Sequence, residues 1–420
     1  MKVLVVGGGG REHAILHALK KSPEIEKLYA APGNGGIAAI AECVDMKATD
    51  IAAVCAFVKR EGIGFVVVAP DDPLVLGMVD ALEEMGVKTF GPNRAAARVE
   101  GSKVFSKELM RKYNIPTAAW EAFSDAGEAK AYIRAGNSYP TVIKAEGLAL
   151  GKGVILAKDY AEAENAIGDI MEKKIFGDSG SRVVIEEFLT GPEVSVLAFT
   201  DGETLCPMVS AQDHKRAFDH DEGPNTGGMG TFSPSRVYTP EIAKICMETI
   251  FMPTIRAMAA EGCPFKGCLY FGLMLTERGP KVIEYNARFG DPETQVVLPR
   301  LKTDLFAIMQ AIADGRLGEI DIEWADNAAA CVVLASGGYP GAYETGHRID
   351  GLEAAGQMAG VTVYHAGTKR VGGEIVTSGG RVLGVTATAD TLDAAIKKAY
   401  DAVKCISFKG MRCRSDIGIK

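Results

Sequence analysis

Glu284 and Asn286 stand two residues apart in the run Lys281-Val-Ile-Glu-Tyr-Asn-Ala-Arg-Phe-Gly-Asp-Pro-Glu-Thr-Gln295. Val282 and Ile283 predict a strand, and on a strand residues two apart share a face. A carboxylate then lies beside an amide oxygen, a pair of hard donors that suits a magnesium ion also held by phosphate oxygens. Arg288 follows on the same face, and its planar fork fits a carboxylate or a phosphate. An exposed polar strand end is the plain alternative for Glu-x-Asn alone. The dense tail Arg-Phe-Gly-Asp-Pro-Glu-Thr-Gln weighs against it.

Five further segments offer binding chemistry. Lys144 closes a strand and leads into a loop with Gly147, Gly151, Lys152 and Gly153. Glycines let a backbone wrap an oligophosphate closely, and the lysines add charge. The order of residues is not that of a Walker A loop, and a flexible hairpin is the alternative. The strand at 182–187 ends in Glu186, Glu187, Phe188 and Leu189, whose backbone can pair with a base edge, while Glu193 can accept both ribose hydroxyls. Gln212-Asp213-His214-Lys215-Arg216 and the glycine-rich 223–230 suit an anionic substrate or developing negative charge. Gly7-Gly8-Gly9-Gly10-Arg11 opens a helix after a strand, where backbone amides bind anions. It is not a dinucleotide fingerprint. Glu12 occupies the third glycine position, and Asn34 rather than an acid ends the second strand.

These residues need rigid elements beneath them. Strands predicted at 3–6, 28–31, 65–69 and 87–90 alternate with helices, which implies a doubly wound parallel sheet with ligands beyond the strands' carboxyl ends. Ser102 is placed to cap a helix starting at Lys103. Longer, antiparallel-style strands follow at 141–144, 153–157, 182–187 and 193–200. From about 325 the pattern becomes a small α+β domain, with strands at 329–334 and 381–386. The domains expected are 1–100, 101–190, 191–325 and 326–420. The chain has 420 residues, 47% hydrophobic, with net charge −8. That composition supports real cores and argues against wholesale nucleic-acid binding. No apolar run is long enough to span a membrane, and no signal-peptide pattern opens the chain, so the cytoplasm is the expected location. The nine cysteines and six histidines show no metal-ligand spacing and are read as free thiols and isolated imidazoles.

Taken in order, these strings resemble the ATP-grasp ligases, and within them the glycinamide ribonucleotide synthetase family of purine biosynthesis. The strings are Gly-Gly-Arg-Glu-His at 9–13, Ala-Pro-Gly-Asn at 31–34, Gly-Ser-Lys at 101–103, Gly-Lys-Gly-Val at 151–154, Gln-Asp-His-Lys-Arg at 212–216, Gly-Pro-Asn-Thr-Gly-Gly-Met-Gly at 223–230 and Arg-Phe-Gly-Asp-Pro-Glu-Thr-Gln at 288–295. The resemblance spans essentially the whole chain. It implies an ATP-grasp fold, with an N-terminal doubly wound parallel-sheet domain and a small C-terminal α+β domain. It also implies ligation of glycine to 5-phosphoribosylamine through glycyl phosphate, with ATP and Mg²⁺ (or Mn²⁺), by a monomer.

The resemblance also implies roles. Glu284 and Asn286 bind the metal; a third acidic ligand is expected on the neighbouring strand, where residues 270–275 offer none. Lys103, Lys144, Gly151, Lys152 and Gly153 hold ATP phosphates, Glu186, Glu187, Phe188 and Leu189 border adenine, and Glu193 takes the ribose. Arg288, Lys144, Asp213 and Lys215 are the catalytic candidates. Arg288 also holds glycine's carboxylate or the transferring phosphate, and Gly9, Gly10 and Asn34 seat phosphoribosylamine. The 146–153 loop is expected to close over the nucleotide. Departures from the family pattern are Gly8 for Asn, Glu146 for Asp, and Asp72 for Ala, the last adding a negative charge near the sugar end. Another ATP-grasp enzyme, a Rossmann-type oxidoreductase and a silent ATP-binding regulator are the competing readings.

Overall fold

The computed structural model describes residues 1–149 and 153–419. Its first sheet is wholly parallel, in the order Glu42–Cys43, Lys27–Pro32, Lys2–Gly7, Phe65–Val68, Lys88–Phe90. Val3, Leu4, Val5 and Val6 are all fully buried, as a strand covered by helices on both faces requires. The edge strand Glu42–Cys43 has only two residues, too few for any periodicity to announce it. Strand order reverses around Lys2–Gly7, which opens a crevice at the carboxyl ends of Lys2–Gly7 and Phe65–Val68. Gly7 to Gly10 and Ala69 form its rim.

Two four-stranded antiparallel sheets follow. One is ordered Trp120–Phe123, Val183–Glu187, Thr141–Ala145, Val154–Ala157; the other Leu205–Pro207, Glu193–Thr200, Gly267–Thr276, Gly279–Asn286. The side chain of Lys144 joins them, donating to the Ile283 carbonyl at 3.1 Å. Ser102 caps the helix Lys103–Lys112, its Oγ accepting from Phe105 N at 3.1 Å. Glu146 braces this junction: it accepts from Ser102 Oγ at 2.9 Å and from Arg182 Nε and Nη2 at 2.6 Å each.

The last sheet is ordered Gln212–Asp213, Gly230–Ser233, Ala328–Ala335, Arg381–Ala389, Val361–His365. Two of its strands come from before residue 325, so this sheet is built from both sides of that point. Its core is small and aliphatic, with Val332, Leu334, Val382 and Val385 fully buried.

Asn34 ties the first domain to the last. Its Nδ2 donates to the carbonyls of Gly8 (2.9 Å) and His365 (2.8 Å), and its Oδ1 accepts from Gly36 N and Ile37 N, both at 2.9 Å. Gly8 is required beside it, because a Cβ there would lie 2.3 Å from the Gly33 carbonyl oxygen. Next to this clasp, His13 Nδ1 accepts from His365 N at 2.8 Å, and His365 Nδ1 lies 3.0 Å from Thr368 Oγ1. Burial pushes His13 down to about 3, helped by His365, and pushes His365 down to about 4.

A base whose folded value is depressed stays neutral while the unfolded chain takes up protons below about 6.5. Stability contributed by this pair is therefore complete above about 6.5 and falls as the pH drops towards 4. We expect the urea midpoint to fall from pH 7.5 to pH 5.0, and the fall to be smaller in His13→Gln. Equal falls in both proteins would show that the pair does not govern this response.

Candidate active site

The nucleotide end is organised by one buried carboxylate. Glu186 lies on Val183–Glu187, with Oε2 2.9 Å from Lys107 Nζ and Oε1 3.0 Å from Lys144 Nζ. Burial alone would raise its carboxyl; Lys144 and Lys107 outweigh that and hold it below the usual range. Lys107 is lowered to about 8 by burial, against the pull of Glu186. Lys103, one turn earlier on the same helix face, donates to the Gly147 carbonyl at 3.0 Å and is lowered by burial, with Glu284 its strongest opposing charge. Two ammonium groups thus share one carboxylate, with the Lys103 ammonium close by, an excess of positive charge suited to a polyanion.

The Glu186 carboxylate is therefore occupied by lysines. Glu187 turns outward, its Oε1 accepting from Lys281 Nζ at 2.8 Å and Ala119 N at 3.0 Å. The backbone at Phe188 and Leu189 lies beyond the sheet, with no hydrogen bond to another described residue, and the Phe188 ring is 41% exposed. Glu193 opens the strand Glu193–Thr200 with a half-exposed side chain, 3.8 Å from Lys215 Nζ. Gly151 and Lys152 lie outside the described residues. Gly153 is held by its carbonyl, which accepts from Ala145 N at 2.8 Å.

Glu284 and Asn286 sit on Gly279–Asn286, paired with Gly272 and Tyr270. Asn286 Nδ2 donates to the Tyr285 carbonyl at 2.7 Å, which leaves Oδ1 free of any described partner. Lys103, Lys215, Glu193 and Arg288 all lie within electrostatic reach of Glu284. A carboxylate and a free amide oxygen are the donors a hard divalent ion takes from a protein when phosphates supply the rest. Among the described residues no group of three or more His, Cys, Asp or Glu is placed to hold a metal ion by itself.

Arg288 lies past the strand end. Its Nη2 is 2.8 Å from Glu100 Oε1, while its buried Nε has no partner. Glu100 also accepts from Ala287 N at 2.7 Å, so it orients this arginine from the first domain's edge. Asp213 lies 3.1 Å from Lys215 Nζ. Burial would lower the Lys215 ammonium; Asp213, Tyr270, Glu193 and Glu284 overcome it and hold it well above its usual value.

The sugar end brings the glycine turn against the 288–295 string. Arg11 N donates to Asp291 Oδ2 at 3.4 Å, and a Cβ on Gly10 would lie 2.5 Å from Gln295 Nε2. Gly9 N is already taken by Glu12 Oε2 at 2.5 Å, so of this turn the Gly8 and Gly10 amides remain without an acceptor among the described residues. Asn34, with all four hydrogen-bonding positions filled, shapes this rim rather than presenting its amide to it. Asp72 is exposed at the rim, and its charged neighbour is Asp71.

Several participants were not singled out from sequence. Lys107 carried a signal, the i, i+4 spacing from Lys103 behind a capped helix start. Glu293 is buried, raised by desolvation and by Asp213, with Oε1 3.2 Å from Ser195 Oγ; that hydroxyl is 2.8 Å from Tyr270 OH. Arg381 Nη1 donates to the carbonyls of Gly227 (2.6 Å) and Asp291 (2.7 Å), fastening the glycine-rich loop to the string. Nothing local in sequence announces these pairings.

A parallel-sheet domain, two antiparallel sheets with lysines and a carboxylate–amide pair facing one cleft, and a small α+β domain together define an ATP-grasp enzyme. A Campylobacter jejuni biotin carboxylase solved as a β-γ-ATP complex shares the fold at TM-score 0.76 and 14% identity, over 98% of this chain and 92% of that one. The phosphoribosylglycinamide synthetase family matches throughout, by its N domain at 1–100, its ATP-grasp (A) domain at 101–294 and its C domain at 329–420. A Rhodopirellula baltica phosphoribosylamine–glycine ligase is 51% identical over 100% of this chain and 97% of its own length. The crystal structure of the Thermotoga maritima phosphoribosylamine–glycine ligase superposes at TM-score 0.85 with 34% identity, covering 100% of both chains. The chain belongs to the phosphoribosylglycinamide synthetase family.

Two substitutions test the charge arrangement. Glu284→Ala is expected to lower kcat about a hundredfold or more, since a bound metal stabilises several kcal/mol of transition-state charge; near-normal turnover in the folded variant would remove Glu284 from the metal site. Glu186→Gln strands two buried ammoniums and is expected to cost about 3–5 kcal/mol of stability. An unchanged urea midpoint would mean that Lys107 and Lys144 do not depend on Glu186.

Proposed function

We propose that the chain uses ATP and a divalent metal ion to join glycine to 5-phosphoribosylamine. Glycine's carboxylate attacks the γ-phosphorus, the bond to the β,γ-bridging oxygen breaks, and ADP leaves with its electron pair. The amine of phosphoribosylamine then attacks the carbonyl carbon of glycyl phosphate, loses a proton, and expels phosphate. Glycinamide ribonucleotide remains. Such chemistry needs charge neutralisation and alignment more than a protein nucleophile.

Lys103 and Lys144 neutralise the phosphates, with Gly151, Lys152 and Gly153 as the loop over them. Glu186, 3.0 Å away, keeps the Lys144 ammonium aimed. Backbone at Phe188 and Leu189 meets adenine, Glu187 anchors that edge from outside, and Glu193 receives the ribose. Glu284 and Asn286 would hold the metal, Mg²⁺ or Mn²⁺, which when bound would offset phosphate charge. Arg288, oriented by Glu100, takes glycine's carboxylate or the transferring phosphate. Asp213 keeps Lys215 charged beside it, and both face the charge that develops as phosphate moves. Gly9, Gly10 and Asn34 form the seat for phosphoribosylamine. The proposal treats the substrates as small molecules and the chain as a monomeric cytoplasmic enzyme; among the described residues no helix is long and apolar enough to cross a membrane.

The observation that carries this reading is the convergence of Lys103, Lys215 and Arg288 on Glu284, with Asn286 beside it. Freshly made phosphoribosylamine, ATP and Mg²⁺ are expected to release ADP only when glycine is present, with glycinamide ribonucleotide detected by mass. ADP release without glycine, or none from a folded protein, would redirect the search to another acid and amine.

A further inference from the structure

Asp213 and Lys215 flank His214, and the chain then makes a small hairpin, Arg216–Phe218 with Glu222–Asn225. At its tip His220 and Asp221 both adopt left-handed backbone, φ 61° and 57°. Neither is glycine, so this conformation is intrinsically unfavourable and persists only where surroundings impose it.

The imposing group is the chain's C-terminal tail. Arg414, whose side chain is fully buried, donates to Asp416 through Nε (2.7 Å) and Nη2 (2.8 Å), to Asp221 Oδ1 at 2.9 Å and to the Arg216 carbonyl at 3.1 Å. Asp416 in turn accepts from His220 N at 2.9 Å. Ser415 N donates to Asp219 Oδ1 at 2.8 Å, and Gly418 N donates to His214 Nε2 at 3.3 Å. The tail therefore grips the residues on both sides of Lys215, as well as both left-handed residues. The partners lie about two hundred positions apart, and a buried bidentate arginine fixes direction as well as distance.

We propose that Arg414 and the tail around it are a positioning latch that holds Asp213 and Lys215 in their working geometry, and so set how well glycine and the amine are aligned. The latch rests on the catalytic reading of Asp213 and Lys215 given above. It does not reach the Glu186 lysine cluster, so ATP binding should be insensitive to it.

The test compares the full-length protein with Arg414→Lys, which keeps the charge and loses the fork. Amide hydrogen exchange across residues 214–226 should accelerate tenfold or more, and kcat/KM for glycine and for phosphoribosylamine should fall tenfold or more, while KM for ATP stays within twofold. Adding His220→Gly makes the left-handed turn easy without the latch, and should recover most of the kinetic loss. Should Arg414→Lys fail to fold, Asp219→Ala cuts the outer tie without exposing a buried charge, and a threefold change in the same quantities is expected. Unchanged exchange would overturn the latch. Faster exchange with unaltered kinetics would overturn the catalytic reading of Asp213 and Lys215. Proportional loss in all three substrates, with no recovery from His220→Gly, would reduce Arg414 to a structural role and overturn the proposal.

Discussion

Two lysines packed against a single buried carboxylate, with a third close by, set the terms for this molecule. Glu186 carries one charge against Lys107 and Lys144, Lys103 turns instead to the Gly147 carbonyl, and burial lowers Lys103 and Lys107. Such an arrangement is tolerable in a folded protein only if water, or an anion, completes the neutralisation. The fold meets this demand by leaving the cluster at a cleft between two antiparallel sheets. Lys144 reaches across that cleft to the Ile283 carbonyl, one residue before Glu284, so the lysine proposed to hold phosphate and the donors proposed to hold the metal are parts of one hydrogen-bonded unit.

The remaining architecture brings distant segments to that cleft. The parallel sheet supplies a crevice at its switch point, and the 288–295 string closes it from the other side through Asp291 and Gln295. Arg381 adds the glycine-rich loop, and Asn34 with His13 and His365 joins the first domain to the last. Asn34 among these fasteners has all four of its side-chain hydrogen bonds filled inside the protein, which favours one arrangement of the domains over looser ones.

Much of the framework could be read locally. Glu193–Thr200 is a run of apolar and β-branched residues and forms a strand over the bounds expected; Ser102 announced its helix start through side-chain chemistry. The position of Glu284 and Asn286 on a strand followed from two preceding β-branched residues. What could not be read depends on partners far along the chain. Gly230–Ser233 pairs with Ala328–Ala335 across about a hundred residues, and no pattern within it specifies that neighbour. The family resemblance implied a place for Asn34 in the phosphoribosylamine seat; its four bonds, one of them to His365, exist only in the folded chain. Glu186 looked like part of a base-binding edge, and its alternation on the strand instead points it inward to Lys107 and Lys144. The charged string at 288–295 marked a site, whereas the separate tasks of Glu293 and Asp291 emerged only from their contacts with Ser195, Arg11 and Arg381.

In the proposed reaction glycine's carboxylate becomes an acyl phosphate in this cleft, and every later step depends on it. Glycine labelled with ¹⁸O in both carboxylate oxygens, turned over with ATP and phosphoribosylamine, tests that step directly. One labelled oxygen should appear in each inorganic phosphate released, and one should remain in the amide. Phosphate free of label, with product still formed, would show that no bond forms between glycine and phosphorus, and would contradict the mechanism.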